Sequence, residues 1–109
     1  MWRRSVGFAE KVVSFVDRDI DRKDAFSLGE QLRRAAISVS NNIAEGGGRN
    51  NRKDKKHFYN IAKGSVYEVV NLLEISKRRG YLEQESHGIL YREAEEIAKM
   101  LSGLMNSTS

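Results

Sequence analysis

Apolar residues recur along this chain at alternating intervals of four and three, a repeat that lays one stripe along an α-helix. In the first segment the stripe is Trp2, Val6, Ala9, Val13, Val16 and Ile20, widened by Phe8, Val12 and Phe15. Period-two alternation is absent, so a strand reading fails. The charged stretch "DRDIDRKDAF" then reads as a connection. The second segment opens at Ser27, with Glu30 three residues later in the spacing of a capping box. Its stripe is Leu28, Leu32, Ala35, Val39 and Ile43, and it should stop near Gly46 in a left-handed C-cap. The third begins at Asn50 or Asn51, both good N-caps, and carries Phe58, Ala62, Ser65, Val69 and Leu72, with Ile61, Val66 and Leu73 beside them. Gly80 closes it, and a fourth runs from about Gln84 to Met105 on Leu90, Ala94, Ile97, Leu101 and Leu104.

Short connections place sequence neighbours side by side. The pattern predicts an all-α fold, an antiparallel up-down-up-down four-helix bundle in which residues 1–109 form a single domain. Gly64 is the local conflict, since glycine inside a helix costs about 1 kcal/mol relative to alanine. The expected compensation is another helix approaching where no side chain would fit.

Composition narrows the possibilities. With 109 residues the chain can build one modest core, and its 31% charged residues are ordinary for a globular protein. No proline is present to break a helix, and no cysteine to make a disulfide or a thiol nucleophile. The apolar run after "MWRR" is interrupted by Glu10, Lys11 and Asp17, which argues against a signal peptide. No stretch approaches the roughly 18 apolar residues of a membrane span, so a soluble, cytoplasmic protein is expected. The net charge of +4 is unevenly spread: residues 31–63 carry eight basic and two acidic groups, residues 64–109 five and seven.

Few residues invite chemistry. A carboxylate-bridged di-iron centre needs two Glu-x-x-His pairs, whereas His57 has Asp54 among lysines and His87 has Gln84 at that spacing. No metal, no cofactor and no nucleophile elbow is expected, and Gly46-Gly47-Gly48 matches neither a P-loop nor a dinucleotide loop. The chain reads as non-enzymatic. Asn42, Glu45, Ser65 and Glu68 lie beside the apolar stripes, where polar groups need partners. They are expected to form a structural network; an acid/base pair of Glu45 and Glu68 is the remote catalytic alternative. The basic cluster is Arg49, Arg52, Lys53, Lys55, Lys56 and Lys63, opposed only by Asp54, with Arg33 and Arg34 on the preceding helix. A solvated face is its ordinary meaning; phosphate binding to RNA or DNA, with Tyr59 near enough to stack on a base, is the functional one.

The stretch "LGEQLRRAAISVSNNIAEGGGR" followed by "FYNIAKGSVYEV" resembles the bacterial four-helix-bundle proteins encoded in intervening sequences of 23S ribosomal RNA genes. The matching positions are Gln31, Arg34, Ala35, Ser38, Asn42, Ile43, Ala44, Glu45, Gly46 and Arg49, then Ala62, Gly64, Ser65 and Glu68. Val39 and Ser40 stand where the family has isoleucine and proline. The resemblance implies a homo-oligomer, a five-membered ring, and no enzymatic activity. The related accessory proteins of diversity-generating retroelements, which associate with RNA and a reverse transcriptase, imply a nucleic-acid partner or, alternatively, a role as a protein-interaction adaptor.

Overall fold

The computed structural model describes residues 1–107. Four long helices account for most of them: α1 (Trp2–Asp19), α2 (Glu30–Gly47), α3 (Arg52–Arg78) and α4 (Gln84–Ser107). No strand occurs among the described residues. Paired residues fix the direction of two contacts. Ser38 meets Ser65 and Gly46 meets Tyr59, so α2 and α3 run antiparallel. Glu74 lies beside His87 across the turn between α3 and α4, which makes that pair a hairpin. On the remaining side, Lys11–Glu93 at 2.9 Å and Arg4–Glu96 tie α1 to α4.

Each helix buries the expected face, with one rotation. In α1 the centre of the core is Phe8, Val12 and Phe15, flanked by Ala9 and Val16, whereas Trp2 and Val6 are 51% and 40% exposed. The two phenylalanines stand along the stretch of α1 that the other helices cover, each burial worth about 2–3 kcal/mol, whereas Trp2 lies at the first position of the helix. This turns the stripe read from Trp2 and Val6 outward. Leu32, Val39 and Ile43 of α2, Ala62, Val66, Val69 and Leu73 of α3, and Ala94, Ile97 and Leu101 of α4 complete the interior. Every buried side-chain polar atom described has a hydrogen-bond partner.

The connection before α2 departs from expectation. Arg22–Asp24 forms one helical turn that passes directly into a π-helical turn, Ala25–Gly29. Ser27 therefore sits inside continuous helical backbone, and its hydroxyl donates to the Asp24 carbonyl at 3.4 Å rather than capping a helix. The Ser27–Glu30 capping box does not form. Gly29 takes part in the close packing of this bend, since a Cβ there would lie 3.2 Å from Val16.

The other helix ends are mixed. Asn51 caps α3 as expected, its side chain accepting the Asp54 N–H at 2.9 Å. Gly80, with φ +86°, is the one left-handed residue among those described, and it ends the third helix as read. α2, by contrast, finishes on right-handed glycines, with Gly48 at φ −86°. The left-handed cap predicted near Gly46 is absent because Gly46 serves packing. A Cβ on it would fall 2.6 Å from a ring carbon of Tyr59. At Gly64 the reverse holds: a Cβ would meet nothing within 4 Å. The close helix approach expected at Gly64 thus occurs at Gly46 instead.

Candidate functional site

Two polar groupings flank the α2–α3 pair. The first is a seam between the helices. The Ser38 and Ser65 hydroxyls lie 2.8 Å apart, and the Asn42 amide donates to the Ser38 carbonyl at 2.9 Å and to its hydroxyl at 3.0 Å. Ser65 is buried on α3 and the other two are half-buried, so the hydrogen bonds form in partly water-excluded surroundings, where each contributes about 1 kcal/mol net. Asn42 and Ser65 thus join through Ser38, a residue absent from the expected network. Its signal was available in the sequence: Ser38 lies one helical turn before Asn42 on the same face.

Glu45 and Glu68 do not join this seam. Both are exposed; Glu45 instead receives Arg49 at 2.8 Å, one turn along the chain. Glu68 makes no hydrogen bond or ion pair among the described residues. A carboxylate on an outer helix position keeps its hydration, which costs nothing, while joining the seam would strip it. The two glutamates also do not face each other as an acid/base pair.

The second grouping is the corner where α2 ends and α3 begins. Arg49 lies over the Phe58 ring at 4.7 Å while paired to Glu45. Lys55 reaches back to the Gly46 carbonyl at 3.3 Å and the Gly47 carbonyl at 3.5 Å, placing a cation on the negative end of α2. Lys53 is exposed, Arg52 exposed and Lys56 half-buried, all within the first turns of α3, whose amide-bearing N-terminus adds positive potential. Lys63 lies further along, 5.9 Å from the Tyr67 ring. Tyr59 cannot serve as a stacking platform, because it is 8% exposed and packed against Gly46.

Arg33 and Arg34 lie elsewhere. Arg33 pairs with Asp17 near the end of α1, and Arg34 lies 3.7 Å from Glu30. They stand about 20 Å from the corner, given a rise of about 1.5 Å per residue along α2. The eight basic residues therefore divide into a corner group of five, Lys63 at its edge, and two that belong to the far half of α2.

At the opposite end of the bundle is a cluster that the sequence pattern did not mark. Asp24 accepts from the Tyr81 hydroxyl and from Arg79, at 2.9 Å from its Nε and 2.8 Å from Nη2. The Tyr81 hydrogen bond, and then Arg79, hold the Asp24 carboxyl below the usual carboxylate range. The same hydrogen bond, with burial, pushes the Tyr81 phenol up. These contacts staple the bend before α2 to the turn after α3. Beside that turn, the Arg78 hydrogen bond lowers the Glu74 carboxyl, which also faces the half-buried His87. No group of three or more His, Asp or Glu gathers in metal-ligating geometry among the described residues. No helix in that range is long and apolar enough to cross a membrane.

Known proteins resemble this chain in sequence and shape. A crystal structure from Bacteroides thetaiotaomicron, described as a protein of unknown function from the S23 ribosomal protein family, superposes with a TM-score of 0.88. It shares 25% sequence identity, over 95% of this chain and 96% of that one. A search of curated proteins finds no match. The model of the 23S rRNA-intervening sequence proteins matches residues 1–103, nearly the whole bundle and both polar groupings. The chain belongs to the 23S rRNA-intervening sequence protein family.

Proposed function

We propose that this protein is a non-catalytic, homo-oligomeric component of a ribonucleoprotein, holding RNA phosphates at the α2–α3 corner. The observation that carries the reading is the concentration of Arg49, Arg52, Lys53, Lys55 and Lys56 around one helix N-terminus, opposed only by Glu45 and Asp54. Such a corner attracts phosphodiester backbones without reading bases, and repetition of the corner in an assembly multiplies the field. The polar seam offers no nucleophile beside a base, which favours a scaffold over an enzyme.

Fluorescence anisotropy with a single-stranded RNA tests this directly. Affinity should fall as salt rises, with a log–log slope of about −2 to −3 for three to four phosphates neutralised per corner. Lys53→Glu should flatten that slope by about 1. Absence of binding at low salt would overturn the reading. Retention of a protein partner after nuclease treatment would instead favour an adaptor role, for which the 91% exposed Phe26 offers an anchor.

A further inference from the structure

At the α2–α3 corner the guanidinium of Arg49 is held as a fixed plane, which a group serving only as a point charge does not need. One face lies over the Phe58 ring, 4.7 Å from its centre, and one edge donates to the Glu45 carboxylate at 2.8 Å. Phe58 is half-buried, with the His57 ring edge-on to it at 5.2 Å and 71°, so the surface beneath the guanidinium is set in place. The Arg49 side chain is nevertheless 43% exposed, which leaves the face turned from Phe58 open to solvent. Glu45 already meets its charge. What remains unsatisfied is a flat, weakly hydrated surface suited to stacking. On the adjoining first turn of α3, Lys53 is exposed and makes no ion pair among the described residues.

We propose that the outer face of Arg49 takes an unpaired nucleobase, in a stack of Phe58, guanidinium and base, while the adjoining phosphates go to Lys53 and its basic neighbours. The inference rests on the RNA reading above and deepens it, since a corner built this way selects single strands. In a duplex the bases are stacked on one another and present only edges and backbone, whereas an unpaired base can splay out onto an arginine plane. Every base has a π-face, so the stack tolerates any sequence. It also supplies the platform that Tyr59, packed against Gly46, does not. Arginine is required at position 49, because lysine carries the same charge without the plane.

A charge-preserving substitution separates a stack from a phosphate contact. Arg49→Lys keeps the cation one helical turn from Glu45 at an exposed position, so folding is retained, as circular dichroism would verify. Fluorescence anisotropy at about 50 mM salt would compare it with the natural chain on three ligands. These are a single-stranded RNA without self-pairing, the same strand with abasic sugars, and an RNA duplex of that length. The natural chain should bind the strand about tenfold more tightly than its abasic counterpart. Arg49→Lys should lose about tenfold on the strand and nothing on the other two ligands, with an unchanged salt slope because the number of cations is unchanged. Equal binding of the strand and its abasic form by the natural chain would overturn the stack and leave the RNA reading standing. So would an Arg49→Lys protein as tight as the parent, or one weakened alike on all three ligands, which would make Arg49 a phosphate contact only. Failure of the natural chain to bind any RNA at low salt would overturn both readings together.

Discussion

Replacing Gly46 by alanine adds a single methyl group to a helix and would ordinarily help it, by roughly 0.5–1 kcal/mol. Here the methyl would sit 2.6 and 2.8 Å from two ring carbons of Tyr59, where carbon pairs are comfortable only at about 3.5–4.0 Å. Relief requires about 1 Å of separation between α2 and α3 or a swing of the ring. The ring is 8% exposed and cannot swing without leaving the core. Overpacking of this kind costs about 1–3 kcal/mol, so Gly46→Ala should lower stability by about 1–2 kcal/mol after the helical gain. For a domain of this size that is a drop of about 5–15 °C in Tm, read by thermal melts and checked by urea titration. Shortening Tyr59 to leucine in the same protein should recover part of the loss, giving a coupling of about 1 kcal/mol between the sites. A Gly46→Ala protein as stable as the parent, or no coupling to Tyr59, would refute the close-packing account of this glycine.

Other changes follow from the same structure. Gly64→Ala should raise stability by about 0.5–1 kcal/mol, the opposite sign to Gly46→Ala, since a Cβ at position 64 meets nothing within 4 Å. Ser65→Ala or Asn42→Ala should each cost about 1–2 kcal/mol in urea titration, because partly buried partners lose a hydrogen bond, whereas Glu45→Ala should change folding by less than about 0.5 kcal/mol. The Asp24–Tyr81–Arg79 staple should give a bounded pH response. Asp24 is depressed, so its contribution is present above the unfolded carboxylate pKa of about 3.9 and fades as pH falls through the lower folded value. Tyr81 is raised, so its contribution is full below the unfolded phenol pKa of about 10 and fades as pH climbs through the higher folded value. Tyr81→Phe should flatten the alkaline fall in a melt series across pH.

The four helices were legible because their stripes are long and regular, as in Leu32, Val39 and Ile43 or Ala94, Ile97 and Leu101. Spacing alone located α1 but misplaced its centre by a fraction of a turn, because it weighs Trp2 and Phe8 alike while packing favours whichever ring other helices can cover. The bend before α2 was illegible for a different reason. Serine and glutamate at capping distance promise a helix start, yet the packing of Gly29 against Val16 lets helical backbone run through both. The glycines show the limit most plainly. The pattern reads Gly46 as a helix end and Gly64 as the point of close approach, yet which glycine lies under a neighbouring ring depends on the rotation of α2 and α3 about their axes, and it is Gly46. The candidate sites split along the same line: Asn42 and Ser65 met because both flank a helix seam, while Glu45, Glu68, Arg33 and Arg34 point where register, not composition, sends them.

The most direct measurement is light scattering of the natural protein alone and with RNA, first at roughly 50 mM salt and then at several-fold higher salt. The account predicts a mass that is a whole multiple of 12.4 kDa in both salts, with RNA travelling alongside the protein only in the lower one. A 12.4 kDa particle from which RNA separates even at low salt would contradict it.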